Sequence, residues 1–72
     1  MSNAEQYTVE FYKDAAHAEM IGAVYLDAAR LRENMEHVGR AICAARKLNW
    51  IDCLIYDQDG VLKDTVMVFR RR

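Results

Sequence analysis

The sequence predicts a two-layer α+β domain, in which a four-stranded antiparallel sheet carries one long helix on one face. The first observation is the stretch 28–48, whose apolar residues recur in steps of three and four, the spacing of one face of an α-helix. The second is a pair of strand-like stretches, 50–56 and 61–69, joined by an Asp-Gly turn, which is a strong hairpin signal. Two further strand-like stretches precede the helix, so the expected order is ββαββ.

The predicted helix, Ala28–Leu48, is apolar on one face and charged on the other. Asp27 stands just before it, where its carboxylate is expected to accept hydrogen bonds from the first turn. Glu36 and Arg40 lie one turn apart and can form an ion pair. Gly39 costs about 1 kcal/mol in a helix interior, and we interpret it as a close approach to the sheet rather than a kink at a functional site. The apolar face comprises Ala28, Leu31, Met35, Val38, Ile42 and Ala45.

Length and charge limit the classes of function. The chain has 72 residues, of which 53% are hydrophobic and 29% are charged, a composition typical of one globular domain. We expect a flexible N-terminus at 1–6, the domain at 7–69 and a basic tail at 70–72. A core this small is marginally stable, and association with a second copy is a common solution. The net charge of −1 disfavours a general nucleic-acid binder that depends on a large cationic surface.

The two predicted strands before the helix form a hairpin. Tyr7–Lys13 alternates, with Tyr7, Val9 and Phe11 facing the helix. Met20–Leu26 is predicted to pair with it, although the alanines after Asp14 leave open a helix that would run on toward the main one. Gly22 and the β-branched Val24 disfavour that helix. One face of the second strand should carry Met20, Gly22, Val24 and Leu26, and the other Ile21, Ala23 and Tyr25.

The turn at 57–60 has two interpretations. Asp57, Asp59 and Gly60 resemble the start of a calcium-binding loop, but the residues that follow supply no further ligands and no closing Glu. Aspartate and glycine are also ordinary turn residues. We therefore predict a plain hairpin turn and no metal site.

The two strands after the helix are apolar on both faces. Ile51, Cys53, Ile55, Leu62, Val66 and Val68 are assigned to the side that faces the helix. The other side then shows a predicted interface set, because one helix cannot cover both faces and exposed apolar patches mark interfaces. A one-residue slip at the turn would exchange the faces of one strand. The predicted interface set is Tyr12, Trp50, Leu54, Tyr56, Met67 and Phe69.

Nucleic-acid binding is the alternative use of this surface. Aromatic side chains on a sheet can stack against the bases of single strands, and Arg70, Arg71 and Arg72 could contact phosphates. Glu10 and Asp52 share the same face, and their negative charge weighs against this alternative. Self-association is the preferred prediction.

Catalytic and cofactor signals are weak. His17, His37, Cys43 and Cys53 show no zinc-type spacing, and three isolated glycines cannot form a phosphate loop. Both cysteines fall in apolar stretches, where a disulfide is compatible with the sequence but not required. We expect reduced thiols, a cytoplasmic location, no cofactor, no enzymatic activity and, since no apolar run is long enough, no membrane span.

The chain resembles short bacterial ββαββ domains of unknown function. The resemblance is carried by Gly22, by the helix start Leu26-Asp27-Ala28-Ala29, by Trp50 and by the run Tyr56–Leu62. It covers most of the chain after Tyr7, implies a ββαββ fold and implies no active site. Residues 14–20 depart from the usual polar, glycine-containing hairpin turn. In outline the fold is also similar to HicB-type antitoxins, which would imply a protein or DNA partner.

Overall fold

The computed structural model describes residues 5–70 and confirms an α+β fold of order ββαββ. A single 3-10 turn, Ala28–Arg30, leads into the helix. The four strands form one antiparallel sheet of order β2-β1-β3-β4, so the alternative helix over 14–26 is wrong. The elements are β1 Gln6–Tyr12, β2 Met20–Asp27, α1 Leu31–Arg46, β3 Trp50–Tyr56 and β4 Leu62–Phe69.

The two hairpins join through their first strands. β1 pairs antiparallel with β3, so that Val9 lies opposite Ile55 and Phe11 opposite Cys53. This leaves β1 and β3 in the centre and β2 and β4 at the edges of the described sheet. β1 begins at Gln6, one residue earlier than predicted. Residues 1–4 of the predicted flexible N-terminus lie outside the described residues, as do Arg71 and Arg72 of the basic tail.

The helix covers one face of the sheet, which we call the covered face. Met35, Gly39 and Cys43 are buried against it, whereas Ala28 and Ala45 at the two ends of the predicted stripe are exposed. The buried core also contains Val9, Phe11, Ile51, Cys53, Ile55 and Val68. In residues 5–70, no helix has the length and apolar character needed to cross a membrane.

The ends of the helix differ from the prediction. Asp27 closes β2, and its carboxylate accepts a hydrogen bond from Gln6 Nε2 at 3.3 Å and none from the first helical turn, so the predicted capping role is wrong. The helix ends at Arg46, because Lys47 adopts a left-handed conformation with φ 58°. Within the helix, Arg40 donates to Glu36 at 3.2 Å, as predicted.

Gly39 lies at a close approach of helix and sheet. A Cβ at this position would lie 3.0 Å from Cγ1 and 3.2 Å from Cβ of Val68. Val68 is itself buried in the edge strand β4. The glycine therefore lets α1 approach β4, which confirms its interpretation as a packing residue.

The β3–β4 turn forms as predicted. Gly60 has φ 80° and its N–H donates to the Asp57 carbonyl at 3.1 Å. The Asp57 carboxylate accepts the N–H groups of Asp59 and Val61, both at 2.9 Å. This carboxylate holds the turn together, which agrees with the turn interpretation.

A bulge near that turn changes the face of one residue. Ile55 pairs with Asp64, but the next residue, Tyr56, pairs with Leu62, so that β4 carries one extra residue. Leu62 therefore lies on the side away from the helix, and its assignment to the covered face is wrong. The change of face is confined to the residues next to the turn, since Val66 and Val68 lie on the face that was predicted for them.

A second bulge acts in the same way at the start of β2. Phe11 pairs with Gly22, whereas Tyr12 pairs with Met20. Met20 thus leaves the face that it was predicted to share with Gly22. Ile21, the extra residue, is half-buried and packs against the core instead.

Candidate functional site: the open face of the sheet

The face of the sheet opposite α1, which we call the open face, is the candidate site. Residues directly opposite one another in an antiparallel pair point to the same side, so the register defines its members. The central strands contribute most of its polar groups and the edge strands most of its exposed apolar groups. The open face consists of Gln6, Thr8, Glu10, Tyr12, Met20, Ala23, Tyr25, Asp27, Trp50, Asp52, Leu54, Tyr56, Leu62, Thr65, Met67 and Phe69.

The structure brings all six residues of the predicted interface set onto this face, but it does not expose them equally. Phe69 is 60% exposed and Met67 47%, whereas Leu54 is only 7% exposed. Tyr12, Trp50 and Tyr56 are half-buried. The expectation of an exposed Leu54 is therefore wrong: its neighbours within one chain already shield it.

A polar cluster occupies the centre of the open face. Asp52 is only 4% exposed although it lies on β3, and its carboxylate contacts Nε2 of His17. The His17 ring lies 5.1 Å from the Tyr12 ring, at an angle of 59°. The Tyr12 hydroxyl in turn donates to Glu10 at 2.6 Å. These contacts give the buried Asp52 carboxylate the partner that a charge in this position requires.

The β1–β2 connection delivers His17 to this cluster. The Asp14 carboxylate accepts the Ala16 N–H at 3.1 Å, and the Asp14 carbonyl accepts the His17 N–H at 3.2 Å. His17 adopts a left-handed conformation with φ 55°, which is uncommon for a non-glycine residue. The tight turn bends the chain back over the sheet.

Sequence reasoning missed this contact and treated His17 as an isolated histidine. One signal was available, because Asp52 sits between Ile51 and Cys53 in a strand that is otherwise apolar. A carboxylate placed there must be paired or hydrogen-bonded. The identity of the partner was not readable, since His17 is 35 residues away.

Three groups in or near the cluster, the Tyr12 phenol and the thiols of Cys53 and Cys43, have pKa values raised above their ordinary ones. The hydrogen bond to Glu10, together with desolvation, raises the pKa of Tyr12 to about 12. Burial, with a smaller contribution from Asp52, raises the pKa of the Cys53 thiol to about 12. Burial also raises the pKa of Cys43. A phenol and two thiols that stay protonated at neutral pH are poor nucleophiles.

The Asp52–His17 pair is half of a catalytic arrangement, and neither cysteine lies where it could serve as the nucleophile. An aspartate that contacts a histidine could orient it as a general base. Cys53 follows Asp52 in the chain, but its thiol is fully buried on the covered face. Cys43 is also fully buried, and both thiols are free. What the Asp52–His17 pair can do is fix the 13–19 connection onto the sheet.

Two shallow clefts flank these features. One, of about 440 Å³, lies on the turn side of the open face and is lined by the polar groups of Glu10, Asp57 and Gln58 among others. The second, of about 290 Å³, lies between helix and sheet and is lined by Tyr7 and Met35 among others. Within residues 5–70, no group of three or more His, Cys, Asp or Glu residues is arranged to hold a metal ion.

The exposed apolar residues lie at the rim of the open face. Six large hydrophobic residues between positions 5 and 70 are exposed, and of these only Val61 lies outside the open face, in the turn. Met20 and Tyr25 belong to β2, at one edge. The others lie along one edge and form what we call the β4 stripe, which consists of exposed Leu62, Met67 and Phe69 with half-buried Trp50 and Tyr56 beside them on β3. Thr65 separates Leu62 from Met67 along this edge.

Arg70 lies on the side away from the aromatic residues. Its N–H donates to the Asn49 carbonyl at 2.9 Å, so the β3–β4 ladder continues one pair beyond Phe69. Alternation along the strand then places Arg70 on the covered side with Val68. Arg71 and Arg72 lie outside the described residues.

Comparisons with family models, with curated proteins and with solved structures find no match to this chain. The geometry of the open face is therefore the basis for a functional proposal.

Proposed function

We propose that this protein acts in the cytoplasm by association, as a homodimer with no reaction of its own, and that the β4 stripe is part of the interface. The observation that supports it most is the clustering of exposed apolar side chains on one edge of the open face, where Phe69 is 60% and Met67 47% exposed. Apolar patches of this kind mark protein interfaces. The two free cysteines are compatible with a reducing compartment,.

A second copy is the preferred partner for an energetic reason. A 72-residue chain buries a small core and is marginally stable alone. Covering the β4 stripe with a second chain would add apolar burial at about 25 cal/mol per Å² removed from water. A homodimer needs no other gene product, and the same patch serves both subunits.

Nucleic-acid binding is less well supported by the same surface. Glu10 and Asp52 lie at the centre of the open face, where their carboxylates would repel a polyanion. Alternation puts Arg70 on the opposite side of the sheet from the aromatic residues of the open face, where it is poorly placed to contact the phosphates of bases stacked on them.

The test is the molecular mass in solution across a range of protein concentrations. The wild-type protein should have twice the protomer mass of 8.4 kDa at high concentration. Phe69→Asp, which places a charge in the β4 stripe, should shift the equilibrium to monomer with little change in fold. Tyr25→Asp is the matched control, because Tyr25 is an exposed aromatic residue on the other edge strand. A wild-type protein that stays monomeric at millimolar concentration would rule out the proposal.

A further inference from the structure

The edge of β4 has a geometry suited to a second copy of this chain. We propose that the two copies pair through antiparallel β4 strands centred on Met67, with Asp64 of each copy opposite Arg70 of the partner subunit. This inference rests on the proposed homodimer and assigns its geometry.

The first observation is the direction of the backbone groups. Arg70 and Asn49 form a hydrogen-bonded pair, and the β3–β4 register runs without a shift from there to Ile55 opposite Asp64. Hydrogen-bonded and non-bonded pairs alternate along an antiparallel ladder. The N–H and carbonyl groups of residues 66 and 68 therefore point to β3, and those of 65, 67 and 69 point away from it.

The contact of Thr65 agrees with that assignment. Its N–H donates to the carboxylate of its own neighbour Asp64 at 2.8 Å rather than to β3. β4 has a neighbouring strand on only one side in the part of the chain that is described. Its outward groups at 65, 67 and 69 thus form a row available for a further strand.

The second observation is the pattern of charge along β4. Residues 65–69 are uncharged and rich in β-branched and aromatic side chains. Asp64 precedes this run and Arg70 follows it, each three residues from Met67. Antiparallel pairing centred on Met67 would place each carboxylate opposite a guanidinium, and opposite charges directly across a strand pair stabilise it. Parallel pairing in register would oppose like charges.

The two observations select the same register. In it, the Thr65 N–H donates to the carbonyl of Phe69 of the partner subunit, and the Phe69 N–H donates to the carbonyl of Thr65 of the partner subunit. Met67 and Met67 of the partner subunit exchange two such N–H···O bonds. Once the Thr65 N–H has the partner's carbonyl, the Asp64 carboxylate is free to bind Arg70 of the partner subunit. Alternation puts both charged residues on the covered side of the sheet, so the two side chains of each pair point to the same side and can meet.

The other edge of the sheet does not offer these features. β2 carries a bulge at Ile21 and a glycine at position 22, and both features weaken regular pairing at an edge. β4 has its bulge only near the turn, between its pairs with Ile55 and Tyr56. The 65–69 run is therefore free of such interruptions.

A charge-reversal experiment tests the pairing. Asp64→Arg or Arg70→Asp alone puts like charges at two places in the interface, and each should raise the dimer dissociation constant about tenfold. The double variant restores opposite charges and should recover most of the affinity. Asp59→Arg, in the exposed turn, controls for the change in net charge. Circular dichroism confirms that each variant is folded.

A second variant addresses the backbone. The Met67 N–H points away from β3, and proline is tolerated on edge strands at such positions. Met67→Pro should therefore leave the monomer folded while it removes the N–H donors of the central intermolecular pair. Hydrogen exchange of the wild-type dimer should show slow amides at Met67 and Phe69 as well as at 66 and 68. A dimer unaffected by single reversals and by Met67→Pro would overturn this geometry but leave the proposed homodimer intact. A wild-type monomer at every concentration would overturn both.

Discussion

The two faces of the sheet bury their residues by different means. On the covered face, one helix lies close enough to β4 to make Val68 almost fully buried, and a glycine makes that approach feasible. On the open face, which no helix within residues 5–70 covers, the connection bearing His17 folds back onto the central strands instead. Asp52 and Leu54 are buried there nonetheless.

The comparison shows that burial on this sheet depends on strand position as well as on side. Residues 7–12 of β1 and all of β3 are buried or half-buried on both faces, whereas the open face of β4 is exposed. A polar cluster over the centre leaves the apolar rim uncovered. That rim is the part of the molecule that remains available for a partner.

The largest expected effect contrasts two apolar residues of the open face. Leu54→Ala should lower the free energy of unfolding by about 2–4 kcal/mol, because it deletes a buried side chain. Met67→Ala should lower it by less than about 1 kcal/mol in the monomer, because Met67 is about half exposed,. Urea denaturation at low protein concentration measures both. Equal losses would show that position on the face does not control burial.

The next effect concerns the contact between Asp52 and His17. His17→Ala leaves a buried carboxylate without its partner and should cost about 1–3 kcal/mol. The double variant His17→Ala/Asp52→Ala should cost less than the sum of the single losses, because the two residues act as a pair. His37→Ala on the exposed side of the helix is the control and should be nearly neutral,. Additive losses would contradict a direct coupling.

The close approach on the covered face gives a smaller effect. Gly39→Ala should destabilise by about 1–2 kcal/mol, because the new methyl group meets Val68, and a β-branched side chain in a packed strand has little freedom to move. Adding Val68→Ala should remove this clash, so that Gly39→Ala in that background stabilises by up to about 1 kcal/mol through the higher helix propensity of alanine. Gly22→Ala is the comparison at a site where the nearest atom, Ile42 Cδ1, is 3.4 Å away. It should be better tolerated.

The free energy of unfolding should fall at alkaline pH, because two groups keep their protons to higher pH in the folded protein than in the unfolded chain. The Cys53 thiol has an ordinary pKa of 9.0, which burial raises to about 12 in the folded protein. Above pH 9 the unfolded chain therefore releases this proton first, so the free energy of unfolding falls as pH rises from about 9 toward 12. Tyr12 adds to the fall from about pH 10, because its hydrogen bond to Glu10 raises its pKa from 10.0 to about 12.

Two variants separate these contributions in urea titrations at several pH values. Cys53→Ala should flatten the decline that begins near pH 9, and Tyr12→Phe should flatten the part above pH 10. The thiols should also resist a disulfide reagent until the protein unfolds. A stability that stays constant up to pH 11 would contradict the burial of Cys53.

The local features of the fold were readable from the chain. The β3–β4 turn forms from Asp57 and Gly60 through bonds within five residues, so turn chemistry alone predicts it. The apolar stripe of the helix and the alternation of β1 were predicted for the same reason, because each follows from the regular repeat of its own element. The predicted cap at Asp27 is wrong because Asp27 ends β2 and precedes a 3-10 turn rather than α1. The Asp27 carboxylate binds Gln6 across the hairpin instead.

The candidate site was only partly readable. The sequence placed Trp50, Leu54, Tyr56, Met67 and Phe69 on one face because alternation fixes the side of a strand residue. It could not rank their exposure, since that depends on which strand lies at the edge. The strand order is set by the pairing of β1 with β3, which are distant in the chain.

The sequence by itself determined the ββαββ order, the hairpin turn and the sidedness of the strands, because these follow from interactions between near neighbours. Only the tertiary structure decided that Asp52 meets His17, that the two bulges turn Met20 and Leu62 to the open face, and that β4 is an edge. Those features arise from pairing between distant segments, and one-residue shifts in such pairing are invisible to local periodicity.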